Sequence, residues 1–167
     1  MYWLAKFFKI LHSASSPWQI AFAIALGMIL GLTPLLRLHN LVVVLCILFF
    51  RVNLTAALVS WGAFTLIAYL FDPLMIAVGE ALLTAPSLHS VWQSAYNSSI
   101  GVLSQFNHTL TLGSLVVAMV LFPIVVITSK ILVVKYRERV MEWIKTLKIV
   151  EFIKGTRIYS LYEKMES

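Results

Sequence analysis

Four ionisable residues interrupt the apolar part of this sequence and are the first candidates for chemistry. Arg37, Arg51, Asp72 and Glu80 each lie within or beside a long apolar run. A charged group inside a membrane segment is costly, so such residues are functional candidates and usually have a partner. A cation such as Arg37 can meet a lipid phosphate or an acidic partner such as Glu80. The alternative is that each residue marks a point where the chain meets water.

Polar residues near these charges extend the candidate site. The proline-containing stretch from Gly31 to Asn40 and the short segment Arg51-Val-Asn53 separate apolar runs. Non-helical backbone at membrane depth is tolerated only where protein or a water-filled cavity covers it. We therefore hypothesise a polar notch for lipid headgroups, formed by Pro34, Arg37, His39, Asn40, Arg51, Asn53, Asp72 and Glu80.

No catalytic or metal-binding motif accompanies these residues. The sequence has no Gly-x-Ser-x-Gly, Gly-x-x-x-x-Gly-Lys, Cys-x-x-Cys or His-Glu-x-x-His pattern. The histidines at positions 12, 39, 89 and 108 lack metal-ligand spacing. Cys46, the single cysteine, lies in an apolar run where packing is its expected role. We predict a protein that is not an enzyme and has no metal or cofactor.

The composition is that of a membrane protein. The 167 residues are 60% hydrophobic and 12% charged, whereas an ordinary soluble domain is roughly 45–50% apolar and about 25% charged. The mean hydropathy is +0.91. Because the apolar residues form long runs, we predict an all-α integral membrane protein.

The distribution of charge predicts the topology. Nine of the 13 cations lie from Lys130 onward, and Lys6 and Lys9 precede the first apolar run. Basic segments beside spanning helices are attracted to the anionic cytoplasmic leaflet, which favours a membrane surface over nucleic acid as the partner. Residues 84–111 have no Lys, Arg, Asp or Glu. We place both termini in the cytoplasm and residues 84–111 outside.

The predicted segments divide the chain into a membrane domain, residues 1–134, and a cytoplasmic tail, residues 135–167. The tail is expected to form a basic amphipathic helix. Residues 2–12 interleave aromatics with lysines, as an interfacial helix does. Within the membrane domain we predict membrane segments at about 17–36, 38–50, 54–71, 74–83 and 112–134.

The first membrane segment has a clear helix start. Ser16 is a suitable N-cap, Pro17 suits the first helical position, and Gln19 completes a capping box. The end of this run has no cleavage pattern of a secretory signal, so we expect it to be retained. Ala23, Gly27 and Gly31 recur at four-residue spacing, which predicts close packing of another helix.

Two geometries remain open for residues 18–50. The apolar block 41–50 would rise only about 15 Å as a helix, too little to cross alone. The chain therefore makes either short tilted crossings or a re-entrant hairpin that breaks near Pro34. A second break is predicted at Asp72-Pro73, because residues 54–83 as one straight helix would be about 45 Å long.

The ordered features of residues 16–83 resemble a known family. They are Ser16-Pro17, Gly27-x-x-x-Gly31-Leu-x-Pro34, His39-Asn40, Arg51-Val-Asn53-Leu and Asp72-Pro73. This set resembles the small bacterial membrane family called domain of unknown function 2062. Arg37 stands where that family frequently has glycine, and Phe-Asp-Pro stands where Asn-Pro is common.

The resemblance implies a cellular setting. The long-tailed form looks like a subgroup found beside a very large AsmA-like envelope protein, a lipid bridge across the periplasm. In outline the family is also similar to the DedA class, whose re-entrant hairpins are associated with lipid movement. The expected location is the bacterial inner membrane, and the expected partners are phospholipids and the AsmA-like protein.

Three functions follow as hypotheses. The leading one is an inner-membrane component of phospholipid transport, in which headgroups pass through the polar notch. The second is a non-transporting anchor or assembly factor that holds its partner through the Ala23, Gly27 and Gly31 face. The third is a small-solute or ion transporter, for which so few spans would require a homo-oligomer.

Overall fold

The structure is a computed structural model that describes residues 15–146, with side chains through Arg139. All regular structure in this range is helical, which confirms the all-α prediction. The predicted interfacial helix at residues 2–12 and the tail after residue 146 lie outside the described residues. The helices are α1 (Pro17–Leu32), α2 (Leu38–Phe49), α3 (Leu54–Thr84), a 3-10 turn (Pro86–Leu88), α4 (His89–Tyr96), α5 (Ser99–Ser104) and α6 (Thr109–Thr146).

Helix α1 forms the centre of the bundle. It begins with the predicted capping box, in which the Gln19 amide donates to Ser16 Oγ at 3.2 Å and the Ser16 amide donates to Gln19 Oε1 at 2.9 Å. It ends at Leu32, four residues earlier than predicted, because Pro34 disfavours helical backbone at Thr33. Eleven of its 16 residues are buried, because α1 packs against both α3 and α6.

The α1–α2 pair is a hairpin whose two ends meet. After the turn at residues 33–37, α2 returns toward the start of α1. There Asn53 Nδ2 donates to Ser15 Oγ at 3.0 Å, and the Asn53 amide donates to the Gln19 carbonyl at 3.5 Å. We call this end of the bundle the basal end. It also contains Arg137 of α6, whose Nη2 donates to the Ser15 carbonyl at 2.8 Å.

Helix α3 runs from the basal end alongside α1 and continues beyond it. Its 31 residues form one helix that includes Pro73, so the predicted break at Asp72-Pro73 is wrong. Proline removes only one donor from the helical ladder, the bond that would reach the Tyr69 carbonyl, and the remaining bonds hold the helix together. The predicted segments 54–71 and 74–83 are therefore parts of a single element.

Helix α6 runs back antiparallel to α3. The backbone of Thr109 lies against Gly79, and Gly113 lies against Met75. Further along, the ring centroid of Phe122 is 6.3 Å from that of Phe22 in α1. The helix continues without interruption to Thr146, so the predicted boundary at residues 134 and 135 lies inside α6.

Two helices are long and apolar enough to cross a membrane, at Leu54–Thr84 and Thr109–Arg139. In the apolar stretch of 18 residues within each helix, only 17% and 33% of the residues are buried in the described structure. A core helix of a soluble protein would be mostly buried, so these helices present apolar surface outward. Large side chains such as Leu66, Leu70 and Ile124 are more than half exposed.

The segment between α3 and α6 consists of short helices that enclose a small aromatic cluster. Trp92 stacks on Phe106 with a centroid separation of 5.5 Å, and Tyr96 meets Phe106 edge-on at 5.1 Å. Trp92 Nε1 donates to the Leu82 carbonyl at 2.9 Å, which ties the cluster to the end of α3. Helix α5 also contacts α2.

Candidate functional site

The turn between α1 and α2 is held together by one buried side chain. Asn40 is 3% exposed, and its Oδ1 accepts a bond from Thr33 Oγ1 at 2.9 Å. Its Nδ2 donates to the carbonyls of Pro34 and Leu35, at 2.9 and 3.2 Å. The Asn40 amide thus satisfies two carbonyls that the interrupted helices leave without partners, and it shares the Thr33 hydroxyl with the Ile29 carbonyl, which lies 2.8 Å from Thr33 Oγ1. We call residues 33–40 the polar turn.

Two nitrogen atoms in the polar turn are buried without a hydrogen-bond partner among the described residues. They are Arg37 Nε and His39 Nε2. Arg37 occupies the N-cap position of α2, yet its side chain forms no capping bond. A guanidinium always carries charge and a fork of donors, and an anion with two oxygens is the ligand that suits it best. The polar turn therefore holds a permanent positive charge whose Nε has no partner among the described residues.

A groove of about 640 Å³ opens beside the polar turn. One wall is the end of α1 with Thr33, Pro34 and Leu35, and the other is the middle of α3. The α3 wall carries an acid, a hydroxyl and aromatic rings: Asp72, Thr65, Trp61 and Tyr69. Pro34 and Asp72, two members of the hypothesised notch, therefore line the same groove.

Three other members of the hypothesised notch lie elsewhere. Arg51 and Asn53 are at the basal end, where Asn53 Oδ1 caps α3 by accepting from the Ala56 amide at 2.9 Å. Glu80 is exposed on α3, eight residues beyond Asp72 and outside the groove. Arg37 forms no ion pair in the described part of the chain with Glu80, the acidic residue considered beside a lipid phosphate as its possible partner. The side chain of Glu80 lies roughly 12 Å further along α3 than Asp72.

The small-residue face of α1 is occupied within the chain. A Cβ atom on Gly27 would collide with the Ala57 carbonyl of α3 and lie 2.9 Å from the Ser60 Cβ. One on Gly31 would lie 2.7 Å from the Phe64 Cβ. Ala23 is fully buried. This face is therefore unavailable to another protein, and the anchor hypothesis that used it is wrong in that respect.

The sequence interpretation missed the groove residues of α3. Thr65, Trp61 and Tyr69 lie in an apolar run without charge, and only their spacing of four residues along α3 could have indicated a shared face. That face becomes a site only because the polar turn lies opposite it. Thr33 was missed for the same reason, since its bond to Asn40 depends on how the hairpin closes.

Comparison with known proteins gives one family. Residues 2–142 match the family described as "Uncharacterized protein conserved in bacteria (DUF2062)". The chain belongs to the DUF2062 family. The match confirms the resemblance drawn from residues 16–83 and extends it over most of the chain. It also includes the polar turn, all of α3 and α6 as far as residue 142 of this DUF2062 protein.

A relative of this DUF2062 protein is similar over a comparable length. It is an "Uncharacterized protein" of Treponema pallidum (strain Nichols), 29% identical over 113 residues, which are 68% of this chain and 70% of the relative. No solved structure matches the chain.

Proposed function

We propose that this DUF2062 protein moves phospholipids between the leaflets of a bacterial inner membrane. The family is bacterial, and the chain has two helices long and apolar enough to span. Their outward apolar surface suits lipid better than water, because a soluble monomer rarely exposes large contiguous apolar patches. In a membrane, that apolar surface would contact lipid hydrocarbon instead of water.

The proposed orientation has the basal end in the cytoplasm. Arg51, Lys130, Lys135, Arg137 and Arg139 all lie at or near that end of the described structure. The opposite end, from residue 84 to residue 111, has no formal charge. An excess of cations marks the cytoplasmic side of a membrane protein. In this arrangement α1 and α2 form a re-entrant hairpin and the short helices α4 and α5 lie on the periplasmic side.

The observation that carries the proposal is the depth of the polar turn. The 16 residues of α1 rise about 24 Å from the basal end, which is within a hydrocarbon core of about 30 Å. A turn with an unpartnered Arg37 Nε would therefore lie inside the bilayer, beside an open groove. Ionisable groups at such depth mark pathways for polar substrates.

The groove chemistry suits a zwitterionic headgroup. Arg37 does not line the groove, but from the adjoining polar turn it would hold a phosphate at the edge of the groove through charge-assisted hydrogen bonds, which are the strongest that a protein donates to this group. Asp72 on the opposite wall would attract the ammonium of an ethanolamine headgroup. The acyl chains would remain along the exposed apolar side chains of α3, such as Leu66 and Leu70. A headgroup could then cross without losing all its polar contacts.

Lipid movement in vesicles tests this proposal. The protein is reconstituted with a phosphatidylethanolamine that carries a fluorescent label, and bleaching by dithionite reports the lipid that reaches the outer leaflet. We expect Arg37→Gln and Asp72→Asn each to slow lipid exchange at least about tenfold. A tenfold change corresponds to the loss of roughly 1.4 kcal/mol of headgroup stabilisation. Arg139→Gln and Glu80→Gln remove a like charge outside the groove and should leave the rate unchanged. Equal rates in all four variants would contradict the proposal.

The AsmA-like partner expected from the family resemblance is a further part of the proposal. The uncharged periplasmic segment with α4 and α5 is the surface such a partner would reach. Co-purification from cells that carry both proteins tests it, with the proteins extracted in mild detergent. Recovery of the chain without its partner, under conditions that keep known complexes intact, would argue for independent action.

A further inference from the structure

A second cavity lies toward the basal end, against residues of α1 other than those that line the groove. Its volume is about 470 Å³, and it is formed by α1, the end of α2 and α6. Phe22 and Leu26 of α1, Cys46 of α2, Phe50 just after α2, and Phe122 of α6 line it. Trp18 and Val52 complete the apolar lining, and Gln19 is the one polar exception. We call this cavity the basal crevice.

The lining of the basal crevice leaves little for a polar ligand. The Gln19 Oε1 already accepts the bond from the Ser16 amide, which leaves the Nε2 of that side chain as a polar donor of the lining. The aromatic rings and aliphatic chains that remain can only contact an apolar group by dispersion and by exclusion of water. A flexible hydrocarbon chain is the ligand for which such a crevice is suited.

Two cations flank the crevice. Lys130 Nζ lies 4.2 Å from the ring centroid of Trp18, a lining residue. Arg51 lies between two other lining residues, Phe50 and Val52, and is exposed. Its φ of 51° is left-handed, an uncommon conformation for arginine that ends α2 abruptly and turns the chain toward α3.

Both cations have free donors. In the part of the chain that the structure describes, neither Lys130 nor Arg51 forms a hydrogen bond or an ion pair. The Trp18 ring meets one side of the Lys130 ammonium, which carries three donors and no acceptor. An apolar crevice with unneutralised positive charge at its edge is complementary to a ligand with an acyl chain and an anionic head.

We propose that the basal crevice binds one anionic glycerophospholipid, with an acyl chain among Phe22, Leu26 and Phe122 and its phosphate at Lys130 and Arg51. This site is separate from the groove at the polar turn and does not depend on lipid movement. A lipid bound there would fill the space between the re-entrant hairpin and α6, and would fix the position of the hairpin against the long helix.

Lipid binding to the purified full-length chain tests the site. The protein in dodecyl maltoside is titrated with phosphatidylglycerol or phosphatidylcholine of identical acyl chains, and bound lipid is counted by native mass spectrometry. We expect one phosphatidylglycerol per chain, bound at least about fivefold more tightly than phosphatidylcholine, as expected for about one favourable cation near the headgroup. Equal affinities for the two lipids would overturn the proposal.

Two lysines of α6 provide a matched pair of variants. Lys130→Ala should lower phosphatidylglycerol affinity about fivefold, whereas Lys135→Ala removes an exposed lysine from the same helix and should not change it. Lys130→Arg should restore binding. Thermal melting of each variant shows whether the fold is intact. Similar losses in Lys130→Ala and Lys135→Ala would mean that only the net charge matters, and the site would be rejected.

Cys46 gives a second readout inside the crevice. As the single cysteine, it reports occupancy through its rate of modification by N-ethylmaleimide. We expect rapid modification of the delipidated protein and protection by phosphatidylglycerol but not by phosphatidylcholine. A modification rate that phosphatidylglycerol leaves unchanged would overturn the proposal.

Discussion

Asn40 makes three side-chain hydrogen bonds across the turn between α1 and α2. It joins the end of α1 to the start of α2 through Thr33, Pro34 and Leu35. Every one of its contacts is local in sequence, yet together they close a turn that no regular helix could make. The hairpin therefore depends on one amide whose donors and acceptor are all used.

The first prediction concerns this amide. Asn40→Leu keeps the size of the side chain but leaves the Pro34 and Leu35 carbonyls without their donor. We expect the free energy of unfolding to fall by about 2–4 kcal/mol, because each buried polar group left unsatisfied costs about 1–3 kcal/mol. Unfolding in mixed dodecyl maltoside and dodecyl sulfate micelles measures it. Val42→Ala, an exposed position in the same helix, is the control and should cost less than 1 kcal/mol.

At this scale the sequence identified the right stretch but the wrong set of partners. Pro34, Arg37, His39 and Asn40 were all predicted as a polar notch, and the structure places them in one turn. Arg51, Asn53 and Glu80 were grouped with them because each interrupts an apolar run. Spacing along the chain does not state which end of a helix a residue occupies in the bundle, so those three were assigned to the wrong place.

At the scale of helices, the contact between α1 and α3 depends on the absence of side chains. Gly27 and Gly31 bring the α1 backbone against Ala57, Trp61 and Phe64. Ser60 Oγ uses this proximity to donate to the Ile24 carbonyl at 2.6 Å. Small residues let helices approach closely in lipid, where water gives no drive for association.

A pair of glycine variants tests this packing. Gly27→Ala places a methyl group against the Ala57 carbonyl, and we expect a loss of about 1–3 kcal/mol from overpacking. Gly62→Ala meets nothing within 4 Å and should be neutral or stabilise by up to about 1 kcal/mol through helix propensity. The same micelle unfolding measurement compares them. If Gly27→Ala leaves the free energy of unfolding unchanged, α1 and α3 lie further apart than the structure shows.

Pro73 allows a test of whether α3 is continuous. If the helix runs through this position, Pro73→Ala restores a backbone donor and should raise the free energy of unfolding by about 1 kcal/mol or more. If the fold instead requires a break at Pro73, alanine would straighten the bend, and the free energy of unfolding would fall. The free energy of unfolding of Pro73→Ala is compared with that of the wild-type protein and with that of Pro123→Ala, which alters the proline of α6.

Element prediction succeeded where the signal was local and failed where it was not. The capping box at Ser16 and Gln19 was predicted correctly because all its atoms lie within four residues. The break at Asp72-Pro73 was predicted from proline and from length, but packing of α3 against α1 and α6 stabilises the continuous helix. The identity of the helix opposite Gly27 is a tertiary property, which spacing alone does not determine.

For the whole molecule, the proposed membrane placement has a direct test. Single cysteines at positions 36, 97 and 135 are introduced in a Cys46→Ser background and labelled in intact cells with a membrane-impermeant maleimide. We expect Asn97→Cys to react from outside and Lys135→Cys to react only after the membrane is opened. Leu36→Cys, at a residue 91% exposed in the polar turn, should resist labelling from the periplasm.

The position 36 result distinguishes the two geometries that the sequence left open. Strong periplasmic labelling of Leu36→Cys would mean that α1 and α2 both cross the bilayer, and the polar turn would be an ordinary loop. Ile100→Cys, which lies in α5, is the control for accessibility on the periplasmic side. Absence of labelling at both positions would indicate that α5 is also embedded.

The short return helix has a consequence for biogenesis. With 12 residues, α2 rises about 18 Å and cannot leave the insertion machinery as an independent span. In the proposed re-entrant geometry, α1 and α2 would stay near the cytoplasmic face until α3 has been synthesised and can shelter the polar turn. Under this proposal, insertion of the hairpin would wait for a helix further along the chain, and we expect a chain truncated before α3 to be removed by proteases.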